Sequence, residues 1–344
     1  MNSTRLFVRW LRHPLGLSGF LLVGALALVA LTGEFFIYDR SADANIMMLP
    51  IANKPPLYGC RVLECSYNTG VTERIPVKEV HDNGATLQAV WYAGETDTTS
   101  IRFEIEKSAL KSYHESFHRF LFGTDRFGRD MLSRMVVGSK YTLAVGLLSV
   151  LIALLIGVFV GAVAGYYGGK IDFALSWVMN VIWALPTLLL VIAINLAMGK
   201  GFWQVFLAIG LTMWVDVARI IRGQVLSIRE KEYVTAARVL GFGNLRILFR
   251  HILPNCTAAI IVITCSNFAS AILLESGLSF LGFGIQPPTP SWGMMIKEHY
   301  AFLILNIPHL AVIPGVAIAL LVLGVNLMGI GLRDVLDVKA NPVG

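Results

Sequence analysis

The chain has 344 residues, of which 56% are hydrophobic and only 15% charged, and its mean hydropathy is +0.67. So little charge cannot solvate an ordinary globular surface, which excludes a typical soluble protein and favours a membrane protein in contact with lipid. The net charge of +6 comes without a basic module interleaved with aromatic residues, so we expect no nucleic-acid partner.

Uncharged apolar runs of membrane-spanning length recur along the chain. A hydrocarbon core of about 30 Å needs about 20 helical residues at a rise of about 1.5 Å each. Five runs reach this length: 14–33, 141–169, 173–199, 252–274 and 310–332. A sixth run, 201–215, reaches it if its helix continues through Asp216 to Ile221. The sequence therefore predicts an all-α polytopic membrane protein with six transmembrane helices.

The positions of the basic residues predict the orientation, because Lys and Arg mark the cytoplasmic side. The N-terminal tail has Arg5, Arg9 and Arg12 with no acid, and segment 219–250 has seven basic residues against two glutamates. Both segments are predicted inside, together with the C-terminus. The start of the chain also resembles a signal peptide, but its apolar run is longer than usual and lacks a small-x-small site. We favour a retained first span.

Residues 40–121 form an insert between the first two spans, and the predicted orientation places it outside. The runs "TLQAVWYAG" and "SIRFEIE" alternate with a period of two, and "HDNG" is a turn signal, so a small strand-rich domain is predicted. Cys60 and Cys65 would lie on the oxidising side, where they can form a disulfide or remain free thiols. We hypothesise the disulfide.

The stretch "FGTDRFGRDMLSRMVVGSK", 122–140, predicts an amphipathic helix capped by Thr124 or Asp125. Such a helix would lie in the outer interface, either as a lead-in to the second span or as part of a gate. Its predicted polar face contains Arg126, Arg129, Asp130 and Arg134. Asp125, Arg129 and Asp130 are therefore candidate pathway or gate residues.

Two acids lie in or near the spans, where contact of a charge with lipid is costly. Glu275, at the end of the fifth span, either lines the pathway or binds a neighbouring helix, and we favour the packing role. Asp216 is predicted to pair with Arg219 or Arg222, about one turn away.

The stretch "EYVTAARVLGFGNLRILFRHILPN", 232–255, predicts two short helices on the cytoplasmic side. Gly241 would end the first helix in a left-handed conformation, and Asn244 would cap the second. The small side chains of Thr235, Ala236 and Ala237 would let another protein approach the backbone closely. The segment is thus either a docking site or a simple connector.

The spacing here resembles the signature of the membrane-spanning permease subunits of binding-protein-dependent ABC importers. That signature is Glu-Ala-Ala, three residues, Gly, nine residues, Ile, one residue, Leu-Pro. This chain has Thr235-Ala236-Ala237, Gly241 and Leu253-Pro254 at the same offsets, with Thr235 in place of the acid and His251 in place of the Ile. The motifs "GTDRFGRDMLSRMVVGS", "RHILPN" and "LLESGLSFLGFGIQPPTPSWGMMI" resemble the C-type subunit of the oligopeptide/dipeptide/nickel branch. The resemblance covers roughly residues 122–337.

This resemblance implies a type I importer permease fold in the bacterial cytoplasmic membrane. The division would be a cytoplasmic tail and first helix (1–39), the extracytoplasmic insert (40–121), and a permease core (122–344) whose coupling loop is 219–254. The implied ATPase-coupling residues are Thr235, Ala236, Ala237, Gly241, Leu253 and Pro254. The implied partners are a second permease subunit, cytoplasmic ABC ATPases, an extracytoplasmic solute-binding protein and membrane lipid.

The absence of a nucleotide motif agrees with a subunit that depends on other chains for ATP hydrolysis. "GGK" at 168–170 is followed by Ile171 and lacks the upstream glycine of a phosphate-binding loop, and we expect no cofactor. The predicted cargo is a peptide or related small solute. Import of nickel or another chelate, or an exporter subunit, remains an alternative. A membrane-embedded hydrolase or sensor is a remote one, because no G-x-S-x-G or H-E-x-x-H motif is present.

Overall fold

The computed structural model describes residue 10 and residues 12–91, 102–199 and 201–336. Its helices are α1 (Pro14–Thr32), α2 (Met131–Tyr167), α3 (Gly169–Trp183), α4 (Thr187–Met198), α5 (Phe202–Arg229), α6 (Glu232–Val239), α7 (Asn244–Ile247), α8 (Thr257–Leu281), α9 (Trp292–His299) and α10 (His309–Leu336). Its strands are β1 (Tyr58–Tyr67), β2 (Thr72–Asp82), β3 (Thr86–Trp91), β4 (Arg102–Glu106) and β5 (Leu110–Phe120).

Within the described residues the apolar helices provide five spans, or the predicted six if one bent pair of helices counts as a span. Five are long and apolar enough to cross a membrane: α1, α2, α5, the stretch Asn244–Leu281 that contains α8, and α10. The sixth is the pair α3 and α4, which meet at an angle of 91°. Pro186 lies at this break and forms the N-cap of α4. The helix of the third predicted span is interrupted here, because proline has no N–H to continue the hydrogen-bond ladder, and the pair is either a broken span or a re-entrant loop.

The prediction of a separate interfacial helix over 122–140 is wrong. Asp130 caps a single 37-residue helix, α2, by accepting from the backbone N–H groups of Leu132 and Ser133. Thr124 and Asp125 lie before it in a tight turn closed by a backbone bridge between Thr124 and Asp130. A turn forms here instead of a helix because the Asp125 carboxylate accepts from the N–H of Phe127 (2.8 Å), which fixes a non-helical backbone.

Close helix packing at the centre of the fold depends on a glycine at every fourth position of α2. A Cβ added at Gly161 would lie 2.4 Å from the carbonyl oxygen of Ala218 on α5, and one added at Gly157 or Gly165 would lie 2.5 or 2.9 Å from the same helix. Small residues at this spacing are typical of helix contacts in membranes, where backbones approach without intervening side chains. They place α5 firmly against α2.

The insert folds as an antiparallel sheet of five strands in the order β4-β3-β2-β1-β5. The two alternating runs noted in the sequence fall on β3 and β4, so the prediction of a strand-containing insert is confirmed. One face of the sheet buries Leu63, Leu87 and Ile105. The opposite face packs around Phe120 and the segment before β1.

The predicted disulfide is wrong: Cys60 and Cys65 are both buried and both free. They lie five residues apart on the same strand, so their side chains point to opposite faces of the sheet and join different apolar clusters. At about 3.3 Å per residue their Cα atoms are about 17 Å apart, whereas a disulfide needs less than about 7 Å. Burial raises the pKa of the Cys60 thiol to about 11.

Candidate functional site

The segment after α5, which is predicted to be cytoplasmic, has the glycine-terminated helix end that its sequence predicts at Gly241. This residue has φ +76°, and its N–H donates to the carbonyl of Arg238 (2.9 Å). The next N–H, of Phe242, donates to the carbonyl of Ala237 (3.1 Å), which completes the double bond pattern of a glycine-terminated helix. A side chain at Gly241 would meet nothing within 4 Å, so the backbone angle alone requires glycine here.

The small-residue face of α6 is divided between two environments. Thr235 and Ala236 are exposed, whereas Ala237 is 4% exposed and packs with Val234 into the core of its own chain. Ala237 therefore faces inward, and the sequence did not reveal this because three consecutive helical residues point in different directions. The outward surface of α6 is formed by Thr235 and Ala236.

Exposed apolar side chains lie at the end of α6 and in the segment that follows it. We call the following set the outward apolar patch: Val239, Leu240, Leu245 and Phe249, each of which is at least 61% exposed. Exposed apolar side chains in a cluster, next to small residues, are typical of a protein contact surface.

The second half of the segment is attached to α2. Asn244 is the first residue of α7 and does not cap it, contrary to the prediction; its Oδ1 accepts from the hydroxyl of Tyr166 (2.9 Å). Leu253 is half-buried and Pro254 exposed, and both belong to a short 3₁₀ turn, Leu253–Cys256. The hydrogen bond between Asn244 and Tyr166 thus attaches this segment to α2.

A second candidate site is a set of buried charges at the beginning of α2. We call it the buried ion cluster: Asp125, Arg129, Arg134, Glu298 and His299, all at most 9% exposed. Arg129 binds Asp125 (Nε to Oδ2, 2.5 Å) and Glu298 (Nη2 to Oε2, 3.0 Å). Arg134 binds the same oxygen of Glu298 from Nη2 (3.2 Å).

The buried ion cluster joins three segments: the turn at 124–130, the first turns of α2, and α9. Its two arginines balance its two carboxylates, so it needs no metal ion although Asp125, Glu298 and His299 place ligand atoms within 4.8 Å of one another. The sequence identified Asp125 and Arg129, which are four residues apart. It did not identify Glu298, because no local pattern links positions 169 residues apart.

The remaining predicted gate residues also bind within their own chain. Asp130 is the N-cap of α2. Glu275 is fully buried, and its Oε1 accepts from the hydroxyls of Ser279 (2.7 Å) and Ser291 (2.8 Å). Ser291 in turn caps α9 by accepting from the N–H of Met294. Glu275 thus connects α8 to α9, as the packing interpretation requires.

The charges of α5 do not pair as predicted. Arg222 binds Asp172 on α3 with both ends of its guanidinium (Nε to Oδ1, 2.5 Å; Nη2 to Oδ2, 2.6 Å). Arg219 donates to the Oδ1 of Asn180 (2.6 Å) and lies over the ring of Trp183. Asp216 forms no ion pair within 4.0 Å in the described part of the chain.

Comparison with known proteins decides the family. The family described as "binding-protein-dependent transport system inner membrane component" matches this sequence over residues 157–341, which is more than half of the chain. The chain belongs to this family. It is therefore a multi-pass permease subunit of the cytoplasmic membrane, which confirms the resemblance, and it is a transport subunit rather than an enzyme.

Curated relatives and a solved structure agree with this assignment. The dipeptide transport permease DppC of Alkalihalophilus pseudofirmus is 43% identical over 218 residues, 63% of this chain and 71% of the relative. The glutathione transport permease GsiD of Pectobacterium atrosepticum is 41% identical over 217 residues, 63% and 72% of the two chains. The di/tripeptide transport permease DppC of Pseudomonas aeruginosa is 42% identical over 221 residues, 64% and 73%.

Among solved structures, an inward-facing MetNI methionine ABC transporter gives a TM-score of 0.50 at 17% identity, covering 58% of this chain and 95% of that chain. At this identity the likeness concerns the fold alone. It supports the type I importer permease fold.

Proposed function

We propose that the chain is one of two permease subunits of an ATP-driven importer of short peptides. The supporting observation is that relatives 41–43% identical over 217–221 residues are named for the transport of dipeptides, di/tripeptides and glutathione, which is itself a tripeptide. A solute-binding protein would deliver the peptide from outside. Cytoplasmic ABC ATPases would supply the energy.

We place the ATPase contact on the outward surface of α6 and the outward apolar patch. Thr235 and Ala236 leave the backbone of α6 accessible to a groove of another protein, and Gly241 sets the direction in which the chain leaves it. Because Asn244 binds Tyr166 of α2, a push on this segment would be transmitted to the spans as a rigid-body movement. That movement would alternate access to a pathway between the two permeases.

A transport assay tests the cargo. The complete complex is reconstituted in liposomes with ATP inside and the binding protein with labelled alanyl-alanine outside. The proposal predicts ATP-dependent accumulation that unlabelled tripeptide competes for and that nickel ions do not. Accumulation of nickel without accumulation of any peptide would contradict the proposed cargo.

A pair of variants at Ala236 tests the coupling surface in the same assay. Ala236→Glu adds bulk and an unpaired charge to an exposed position without touching the core, so it should abolish peptide-stimulated ATP hydrolysis and uptake while membrane insertion persists. Ala236→Ser keeps the small side chain and should behave like the parent. Ala237→Glu is a poorer test, since Ala237 is buried in its own chain. Parental coupling in Ala236→Glu would make this segment a connector.

A further inference from the structure

Asp216 is a charged residue in the middle of α5, one of the helices long and apolar enough to cross a membrane. It is the fifteenth of the 28 residues of α5. At about 1.5 Å per residue it lies about 20 Å from either end of a helix that is longer than the hydrocarbon core of about 30 Å. Its side chain is exposed on the surface of the chain, whereas the neighbouring Val215 and Val217 are buried.

A polar cavity of about 370 Å³ lies beside this carboxylate. Its wall on α5 includes Thr212 and Asp216, one turn apart, and its opposite wall is the break between α3 and α4 with Trp183, Pro186 and Thr187. The N-terminus of α4 has no side-chain cap, so the cavity is lined by backbone as well as by polar side chains. Non-helical backbone at membrane depth is found where it lines a cavity or is covered by protein.

The charge cannot face lipid. A carboxylate in the hydrocarbon core is costly, and such residues almost always face a bundle interior or water and meet a partner charge. Trp183 donates a hydrogen bond to the Asp216 carboxylate, and the charge of Arg219 acts on it from a greater distance. No cation of the described residues lies within 4.0 Å of Asp216, because Arg222 is bound to Asp172 and Arg219 is directed to Asn180 and Trp183. A cation that forms an ion pair with Asp216 would therefore come from outside this part of the chain.

We propose that Asp216 lies in the water-filled pathway between the two permeases and binds the ammonium group of the peptide. The inference rests on the proposed function, which makes the cargo a molecule with a free α-amino group, cationic at neutral pH because its pKa is about 8. An ammonium and a carboxylate form a charge-assisted hydrogen bond that needs no further cation. Arg219, one turn closer to the C-terminal end of α5, is held by Asn180 and Trp183, so the proposed contact involves the amino end of the peptide alone.

The first test is accessibility to water. In a complex in which the four cysteines of this chain are replaced by alanine and the partner subunits are cysteine-free, Asp216→Cys in lipid nanodiscs should react with an anionic, membrane-impermeant thiosulfonate. Leu21→Cys is the control, because Leu21 lies near the middle of the apolar helix α1 and its side chain is 60% exposed. It should not react. Alanyl-alanine supplied with the binding protein and ATP should slow the labelling of the Asp216→Cys complex.

The second test is transport. Asp216→Asn should lower alanyl-alanine uptake by about tenfold, as expected for the loss of one hydrogen bond between charged groups, and Asp216→Glu should restore most of it. An inert thiol in Asp216→Cys, or labelling that peptide never slows together with parental uptake by Asp216→Asn, would overturn the inference and point to a contact with the second permease. If the parent itself took up no peptide, the proposed function would fail, and the labelling without peptide would still decide whether Asp216 faces water.

Discussion

At the scale of single residues, the most demanding feature is the buried ion cluster, where four charged side chains lie out of contact with water. A buried ion pair contributes little net stability, because desolvation offsets most of the attraction, but loss of one partner leaves an uncompensated charge. Arg134, 1% exposed, is bound only by the carboxylates of Asp125 and Glu298. The cluster should therefore be intolerant of single substitutions.

Arg134→Ala is expected to destabilise the protein by about 3–5 kcal/mol, the typical cost of breaking a buried pair. The measurement is the thermal unfolding midpoint of the purified permease complex. Arg126→Ala is the matched control from the same segment; Arg126 is exposed and should change the midpoint little. An unchanged midpoint in Arg134→Ala would show that the cluster does not stabilise the fold.

Residue-scale predictions from the sequence succeeded where the chemistry is local. The glycine that ends α6 was identifiable because a left-handed residue strongly favours glycine. The partners of Arg222 and Glu275 were not identifiable, because Asp172 and Ser291 belong to other elements of the fold. Sequence separation, rather than residue type, limited the prediction.

At the scale of elements, the contact between α2 and α5 positions both the coupling segment and Asp216. The two helices approach through the glycines at 157, 161 and 165, so their backbones nearly touch. In a membrane such contacts are stabilised by van der Waals packing rather than by exclusion of water. A larger side chain here would separate the helices.

Gly161→Leu should force α5 away from α2 and lower both the yield of folded complex and its unfolding midpoint. The expected cost is at least the roughly 1–3 kcal/mol of an overpacked core. Gly223→Ala on α5 serves as the control, because a Cβ at that position meets nothing within 4 Å. Parental stability of Gly161→Leu would mean that the close approach is unnecessary.

Protonation of His118 should weaken the attachment of the insert to the segment after α1. The ring of His118 stacks on Tyr38 at 3.6 Å, which joins β5 to the segment after α1. Burial, and secondarily the charge of Arg74, lowers the pKa of His118 to about 4. In the unfolded chain the pKa of histidine is about 6.5, so the unfolded state binds the proton first as the pH falls.

The stability of the insert should therefore be full above about pH 6.5 and decrease as the pH falls toward about 4. Hydrogen exchange of the strand amides at several pH values measures this, after correction for the intrinsic exchange rate. His118→Phe retains an aromatic ring without a titrating group and should remove this part of the pH dependence. The same pH dependence in parent and variant would assign it to other groups.

Element-scale prediction identified the type of each element better than its ends. Hydrophobic runs revealed the spans, but the start of α2 depended on whether Asp125 or Asp130 caps the helix, and both residues are good caps. The period of two revealed strands, yet the pairing of Cys60 with Cys65 failed because alternation along β1 separates them. Short-range patterns do not specify which face a residue occupies.

At the scale of the whole molecule, the proposal requires the insert and the coupling segment to lie on opposite sides of the membrane. The distribution of Lys and Arg supports this orientation. Three spans separate the insert from α6 if α3 and α4 form one span, and an odd number of crossings places the two segments on opposite sides. An ATPase in the cytoplasm can contact α6 only if this orientation is correct.

Labelling of intact cells with a membrane-impermeant thiol reagent tests this orientation most directly. In a cysteine-free parent, Asn83→Cys, in the exposed turn between β2 and β3, should be labelled from outside. Lys170→Cys, at the exposed start of α3 and on the same predicted side as α6, should be labelled only after the cells are permeabilised. Labelling of Lys170→Cys in intact cells, with Asn83→Cys protected until permeabilisation, would contradict the account.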